Sequence, residues 1–233
     1  MPRKRTWAPL ELFAEDRVEI GVDEAGRGCL AGPVYAAAVI FPRIMPESDE
    51  EWKNIRDSKK VSAKKRVVLA EYIKRTAVSW AVGVSTAKEI DDINILQASY
   101  QAMHRAVDQV LEQVKETPDH ILVDGTLFKT YRDMQGDLIT HTCVPQGDNK
   151  YISIAAASIL AKTERDAFMS SLCDKYPQLE PYGWKKNKSY GTKQHVAAID
   201  EFGITRYHRQ SFSTCQGRDI MELVESVVLA NPS

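Results

Sequence analysis

Two apolar runs, VEIGV (18–22) and PVYAAAVIF (33–41), flank a glycine turn, and two adjacent carboxylates, Asp23 and Glu24, stand where the first run ends. Both runs have strand length and strand composition, and the short glycine connection predicts a hairpin. Two like charges at the exit of an apolar strand repel each other and raise each other's pKa, so the fold has to supply something that compensates them.

The rest of the chain supplies helices and further strands around that hairpin. SAKKRVVLAEYIKRT (62–76) reads as a helix with Ser62 as its N-cap, and AVSWAVGVS (77–85) as a third strand. NILQASYQAMHRAVDQVLEQVKE (94–116) carries apolar residues near helical spacing. HILVD (120–124) is apolar almost throughout, as a strand covered on both faces should be, and DLITHTCV (137–144) is a fifth strand. KYISIAAASILAKTERDAFMSSLCDKY (150–176) reads as a helix whose Ala/Ser face suits close packing on a sheet, stopped by Pro177. Helices are also expected near 192–202, closed by Gly203, and near 218–230. This order predicts an α/β layer fold with a helical C-terminal extension. Its units are an N-terminal arm over 1–17, a core over 18–178 and an extension over 179–233, forming a single compact unit of 233 residues.

No apolar run approaches the roughly 20 residues that cross a bilayer. The start, MPRKRTW, has charges with no apolar segment behind them, so a cytoplasmic protein without membrane contact is expected. Four scattered cysteines, with no Cys-x-x-Cys pair, read as reduced thiols rather than a zinc site.

Two further acids share the setting of Asp23 and Glu24. Asp124 closes HILVD and precedes Gly125, and Asp148 lies in QGDNK just before the alanine-rich helix. Acids at the carboxyl ends of strands in an α/β sheet converge on the edge where such folds place their sites. Each has a plain structural reading as well: Asp-Gly is a turn pair, Asp148 suits a helix cap kept ionised by the helix dipole, and Glu24 suits solvent. Taken together, four carboxylates in one cleft suit hard divalent cations such as Mg²⁺ or Mn²⁺, and two such ions about 4 Å apart support in-line displacement at a phosphodiester.

The net charge of −1 hides local basic stretches. Between Lys53 and Arg75 nine Lys or Arg face only Asp57 and Glu71. Lys64, Lys65 and Arg66 fall in the first turn of a helix, where the macrodipole disfavours cations and phosphate contact is the functional alternative. PYGWKKNKSYGTKQH (181–195) interleaves aromatics with lysines, a pattern for backbone contact plus ring stacking, with Tyr182 and Trp184 preferred as core residues. The turn glycines Gly26, Gly28 and Gly32 are followed by a strand, not a phosphate-binding helix, so a dinucleotide site is not expected; Arg27 among them suits a phosphate. His104, His120 and His141 read as structural, and His195 and His208 lack metal-ligand spacing.

GVDEAGRG…LAGPV, DSKK.S (57–62), EIDDINILQAS (89–99), VDG (123–125), GD.KYISIAAASILAKTERD (147–166), YGT..H (190–195) and HR.SF (208–212), running in order from about residue 18 to 212, closely resemble bacterial ribonuclease HII. The resemblance implies an RNase H-like fold with a central mixed five-stranded sheet flanked by helices. It implies divalent-metal-dependent hydrolysis of RNA in RNA–DNA hybrids, including cutting at single ribonucleotides embedded in duplex DNA; a monomer is expected, although the sequence itself does not give the oligomeric state. Carried over by position, Asp23, Glu24, Asp124 and Asp148 match the active-site and metal-binding acids. Gly26, Arg27 and Gly28 match the loop that reads the ribose 2′-OH, Tyr190 the tyrosine at the RNA–DNA junction, and Lys59 and Lys60 belong to the substrate side. Asp166 is read as supporting its helix. Cys29, Asn187 and Ser189 stand where proline, histidine and glycine are usual, which touches only the turn and the junction loop. Two alternatives stay open: another nuclease of the same fold that cuts DNA, and a non-catalytic hybrid-binding module.

Overall fold

The computed structural model describes residues 10–11, 17–45, 48–115 and 117–225. Strands β1 (Glu19–Ala25), β2 (Val34–Ile40), β3 (Ser79–Ser85), β4 (His120–Asp124), β5 (Tyr131–Arg132) and β6 (Leu138–Val144) form one sheet in the order β3-β2-β1-β4-β6-β5. The expected hairpin is there, with Asp23 opposite Ala37 across the antiparallel β1–β2 pair. β1, β4 and β6 run parallel, with Val22 opposite Val123 and Asp124 opposite Val144. Their carboxyl ends therefore emerge side by side at one edge. The sheet exceeds the expected five strands by β5, a two-residue ribbon that pairs Tyr131 with Ile139. Two residues carry no periodicity to read.

Helices α1 (Ala63–Thr76), α2 (Ala87–Gln113), α3 (Ile152–Lys175), α4 (Trp184–Asn187) and α5 (Lys193–Phe202) cover the sheet and build the C-terminal part. α2 starts at Ala87 rather than 94, under a reciprocal capping box between Thr86 and Glu89. It bends at Asn94, whose φ of 67° breaks the helix and whose side-chain oxygen accepts from the amides of Leu96 (3.0 Å) and Gln97 (3.2 Å). Asn94 is thus an inner cap, which is why the helical periodicity in the sequence begins there. The expected helix near 218–230 is not formed over 218–225, and 226–230 lie outside the described residues. Ile220 instead pairs in parallel with Ile204, and the amides of Ile204 and Met221 bond to the carbonyls of Asp219 and Ile204. The arm over 1–17 lies almost wholly outside the described residues.

Strand alternation divides the core into two layers. Ile20 and Val22 pack with Ala98, Ala102, Met103 and Ala106 of α2. Ala37 and Val39 pack with Leu69 and Ile73 of α1 and with the alanines of α3 on the other face. A third cluster joins Leu30 and Met169 to Tyr176, Tyr182, Trp184 and Ile199. Tyr182 and Trp184 are buried, as expected. The helices approach closely because glycines meet them. A Cβ on Gly83 would lie 2.0 Å from the Ala102 carbonyl oxygen, and one on Gly21 would lie 2.2 Å from the Ser153 backbone. Gly83→Ala is therefore expected to push α2 off the sheet at a cost of about 3 kcal/mol. Thermal melting should show this as a fall in Tm on the order of 10 °C; a fall under about 2 °C would mean that α2 yields freely.

Candidate active site

Because side chains alternate along β1, its two terminal acids point to opposite faces of the strand. Asp23 faces α3, where the Ser158 hydroxyl hydrogen-bonds to it and lies 3.1 Å from the Ser58 hydroxyl. Glu24 faces the α2 side, where it lines a cavity of 200 Å³ with Asp124, Arg27, Leu96, Tyr100, Met103 and Leu127. Asp124, on the neighbouring strand, accepts a 2.7 Å hydrogen bond from the Gly147 amide, which ties β4 to the turn that carries Asp148. A roomier cavity of 460 Å³, beside Trp184 and Cys173, is lined by none of these acids.

Electrostatics show that the four acids share one field. Burial pushes the Asp23 carboxyl well above the usual carboxylate range, and the charges of Glu24 and Asp124 push it further. Burial also raises Glu24; Arg27, 3.2 Å from its carboxylate, pulls it back, and Asp124 adds to the rise. Asp148 is pushed up to about 6 by burial, then by Asp57 and Asp124, against the pull of Lys59. This corrects two expectations. Asp148 sits in a 3₁₀ turn, Gly147–Asn149, ahead of α3, whose N-cap is Tyr151, so it neither caps that helix nor is held ionised by it.

Lys59 is the cation placed among these charges. Partial burial works to lower its pKa, but Asp57, Asp23, Asp148 and Asp124 together raise it. Asp57 buries itself beneath it and accepts from the Lys59 amide at 2.9 Å. Lys60 bonds to Asn149 beside Asp148. Arg66 departs from the phosphate-contact reading: it turns inward to Asp166 (3.2 Å) and to the carbonyls of Ser58 and Val61. Asp166, paired also with Lys162, supports α3 as expected.

The glycine turn is held from beneath by two fully buried arginines that sequence reasoning missed. Arg209 donates to the carbonyls of Arg27 (2.7 Å), Gly26 (2.7 Å) and Gly32 (3.0 Å). Arg165 donates to the carbonyls of Pro33, Ala31 and Lys188, each at 3.0 Å. Gly26 adopts a φ of 97°, and a Cβ there would fall 2.0 Å from Arg165 Nε, so both its conformation and its neighbour demand glycine. Tyr190, 42% exposed, stands next to this turn: its backbone bridges Cys29, and its ring approaches Gly28. Behind it the histidines form a fixed chain. The Thr205 amide donates to His208 Nδ1 (2.8 Å), so His208 Nε2 carries its proton toward His195 Nε2 (3.1 Å), and His195 Nδ1 donates to the Tyr190 carbonyl (3.0 Å).

Among the described residues no group of three or more acidic, histidine or cysteine side chains is gathered closely enough to hold an ion as it stands. The donor chemistry nonetheless fits a hard divalent cation. Asp23, Glu24, Asp124 and Asp148 offer only carboxylate oxygens, and three of them carry raised pKa values that a cation would relieve.

Among solved structures the chain is similar to ribonuclease H2 from Pyrococcus horikoshii, with a TM-score of 0.62 at 22% identity over 84% of this chain and 94% of that one. It is also similar to Bst-RNase HIII in complex with Mn²⁺, with a TM-score of 0.65 at 19% identity over 85% and 68%. Sheet order, helical layers and acids at the carboxyl edge thus define an α/β protein with the RNase H-like fold. A model of the family described as ribonuclease HII matches residues 20–215. Ribonuclease HII of Bacteroides thetaiotaomicron is 53% identical over 206 residues, covering 88% of this chain and 94% of the relative, and that of Porphyromonas gingivalis is 46% identical over 198 residues, covering 85% and 90%. The chain belongs to the ribonuclease HII family and is a hydrolase of the ribonuclease H type.

Proposed function

We propose that this enzyme hydrolyses the RNA strand of RNA–DNA hybrids and cuts on the 5′ side of single ribonucleotides embedded in duplex DNA, leaving 3′-hydroxyl and 5′-phosphate ends. The observation that carries the reading is the shared field of Asp23, Glu24, Asp124 and Asp148 at one sheet edge, beside a backbone turn rigid enough to sense a ribose. In this reading the four carboxylates hold Mg²⁺ or Mn²⁺, two ions per site. Bound there, divalent cations supply Lewis acidity and neutralise charge developing on the phosphate. Gly26, Arg27 and Gly28 present a fixed backbone to the 2′-OH, the group that separates RNA from DNA at one position. Tyr190 packs on the sugar next to it, and Lys59 and Lys60 approach the phosphates. In this reading the enzyme removes misincorporated ribonucleotides, acting as a cytoplasmic monomer. No helix among the described residues is long and apolar enough to cross a membrane.

Product mapping tests this directly, on a duplex with one ribonucleotide, an all-DNA control and an all-RNA strand in a hybrid. Metal-dependent cleavage 5′ of the ribonucleotide alone is expected. Equal cutting of the DNA control would favour a DNA nuclease, and binding without cutting would favour a hybrid-binding module.

The raised carboxylates also set a pH dependence. Their folded-state pKa values lie above the unfolded ones, so in the cation-free protein this contribution favours folding as pH falls and is lost as pH rises through the folded-state values, about 6 for Asp148. His208, pushed down to about 3 by burial and then by His195, acts in the opposite sense, its contribution lost as pH falls below about 6.5. Saturating Mg²⁺ competes with protons for the acids only. The gain in Tm on adding Mg²⁺ should therefore be larger near about pH 8 than near about pH 5. An equal gain at both would place the cation elsewhere.

A further inference from the structure

Tyr190 is preceded by two residues in the left-handed region, Lys188 (φ 52°) and Ser189 (φ 65°). Left-handed backbone disfavours an L side chain, and glycine would adopt it freely. A serine fully buried there has to be explained by its hydroxyl. That hydroxyl accepts from Arg165 Nη2 at 2.9 Å, and its single proton is shared between the carbonyls of Ala31 (2.7 Å) and Lys188 (2.6 Å). Ala31 belongs to the segment that continues from Gly26–Gly28, whereas Lys188 belongs to the turn that leads to Tyr190.

The main chain repeats the connection. The Leu30 amide donates to the Ser189 carbonyl (2.9 Å), and Cys29 bridges Tyr190. The Cys29 thiol donates to the Lys188 carbonyl at 3.5 Å. From the other side Asn187 holds the turn: its side-chain oxygen accepts from the Ser189 amide (2.9 Å), and its side-chain nitrogen donates to the Tyr182 carbonyl (2.7 Å) and to Thr192 (3.2 Å). Cys29, Asn187 and Ser189, each a departure from the pattern the sequence resembles, thus meet in one network, and Arg165 is the cation common to both segments.

We propose that Ser189 is a positioning residue for substrate discrimination. Its hydroxyl fastens the turn that carries Tyr190 to the segment that follows Gly26–Gly28, so that the ribose contact and the junction contact are presented as one rigid unit. The proposal rests on the roles assigned to those two contacts above. A lone ribonucleotide offers a single 2′-OH and a single junction, and both contacts must register on neighbouring nucleotides at once. An all-RNA strand offers many registers and tolerates a looser pair. Pre-organisation therefore matters most for the lone ribonucleotide.

The test compares wild type with Ser189→Gly and Ser189→Ala. Both substitutions remove the hydroxyl; the glycine variant also relieves the backbone, whereas the alanine variant does not. The readout is kcat/KM on a duplex with one ribonucleotide divided by kcat/KM on an all-RNA strand in a hybrid, with Tm measured alongside. Both variants are expected to lower this ratio about tenfold, well within the ~100-fold that a 1 Å misplacement can cost, while Ser189→Gly melts at or above wild type. A ratio that stays within about twofold of wild type in both variants, or that follows Tm, would overturn the proposal and leave the functional reading standing. A wild-type enzyme that fails to cut at the lone ribonucleotide would overturn the functional reading, and this proposal with it.

Discussion

Asp124→Asn is expected to lower kcat/KM by about 1,000-fold or more while leaving the fold intact and hybrid binding largely unchanged. The substitution keeps the shape of the side chain and an oxygen able to accept from the Gly147 amide, so the link between β4 and the Asp148 turn survives. What it removes is one negative charge from a site where Asp23, Glu24 and Asp148 are each already raised by Asp124. In the cation-free protein that relieves repulsion, so Tm should stay level or rise. With a divalent cation present it removes a ligand charge, and electrostatic stabilisation of the developing phosphate charge weakens by several kcal/mol. Single-turnover cleavage, fluorescence anisotropy with hybrid, and thermal melting separate these effects. Turnover within about tenfold of wild type would remove Asp124 from the reaction.

Arg209→Leu carries the second large expected effect, this time on both fold and activity. It removes the buried guanidinium that the carbonyls of Gly26, Arg27 and Gly32 accept from; the Gly26 carbonyl keeps the Cys29 amide at 3.3 Å, whereas those of Arg27 and Gly32 lose their side-chain donor. A buried polar group left without its partner costs about 1–3 kcal/mol, so two such carbonyls together with the space left by the shortened buried side chain cost on the order of 5 kcal/mol. A fall in Tm of about 10–20 °C follows. Burial lowers the Arg209 pKa to about 10, which still leaves the side chain charged at neutral pH. Arg209→Lys should rescue little, because one ammonium lacks the fork that reaches three carbonyls. The decisive readout is discrimination between ribose and deoxyribose at temperatures where the variants remain folded. Discrimination retained in Arg209→Lys would show that the glycine turn keeps its shape without the guanidinium.

These two residues mark what was and was not legible in the sequence. Asp124 could be read because an apolar strand ending in an acid has few explanations, and Asp23–Glu24 posed the same problem at the end of β1. The hairpin, α3 and the layer architecture followed from periodicity and turn chemistry. Arg209 and Arg165 were not legible, since in sequence a buried arginine looks like any basic residue. Only the carbonyls of a turn more than 130 residues away show what such a side chain does. Asp57, Ser158 and Asp91 were missed for the same reason; Asp91 accepts from the amides of Gln210 and Ser211, steadying the loop that holds Arg209. Local pattern also failed at both ends of its range, at the two-residue β5 and at 218–225, where pairing with Ile204 overrides helical spacing.

The account depends on the four carboxylates forming one cation site, and diffraction from crystals soaked in Mn²⁺ tests it most directly. Anomalous density is predicted at about 2.1–2.2 Å from carboxylate oxygens of both Asp23 and Asp124, with Glu24 or Asp148 completing the contact, and it should vanish in Asp124→Asn. Manganese bound only elsewhere on the molecule, with these acids still apart, would contradict the account.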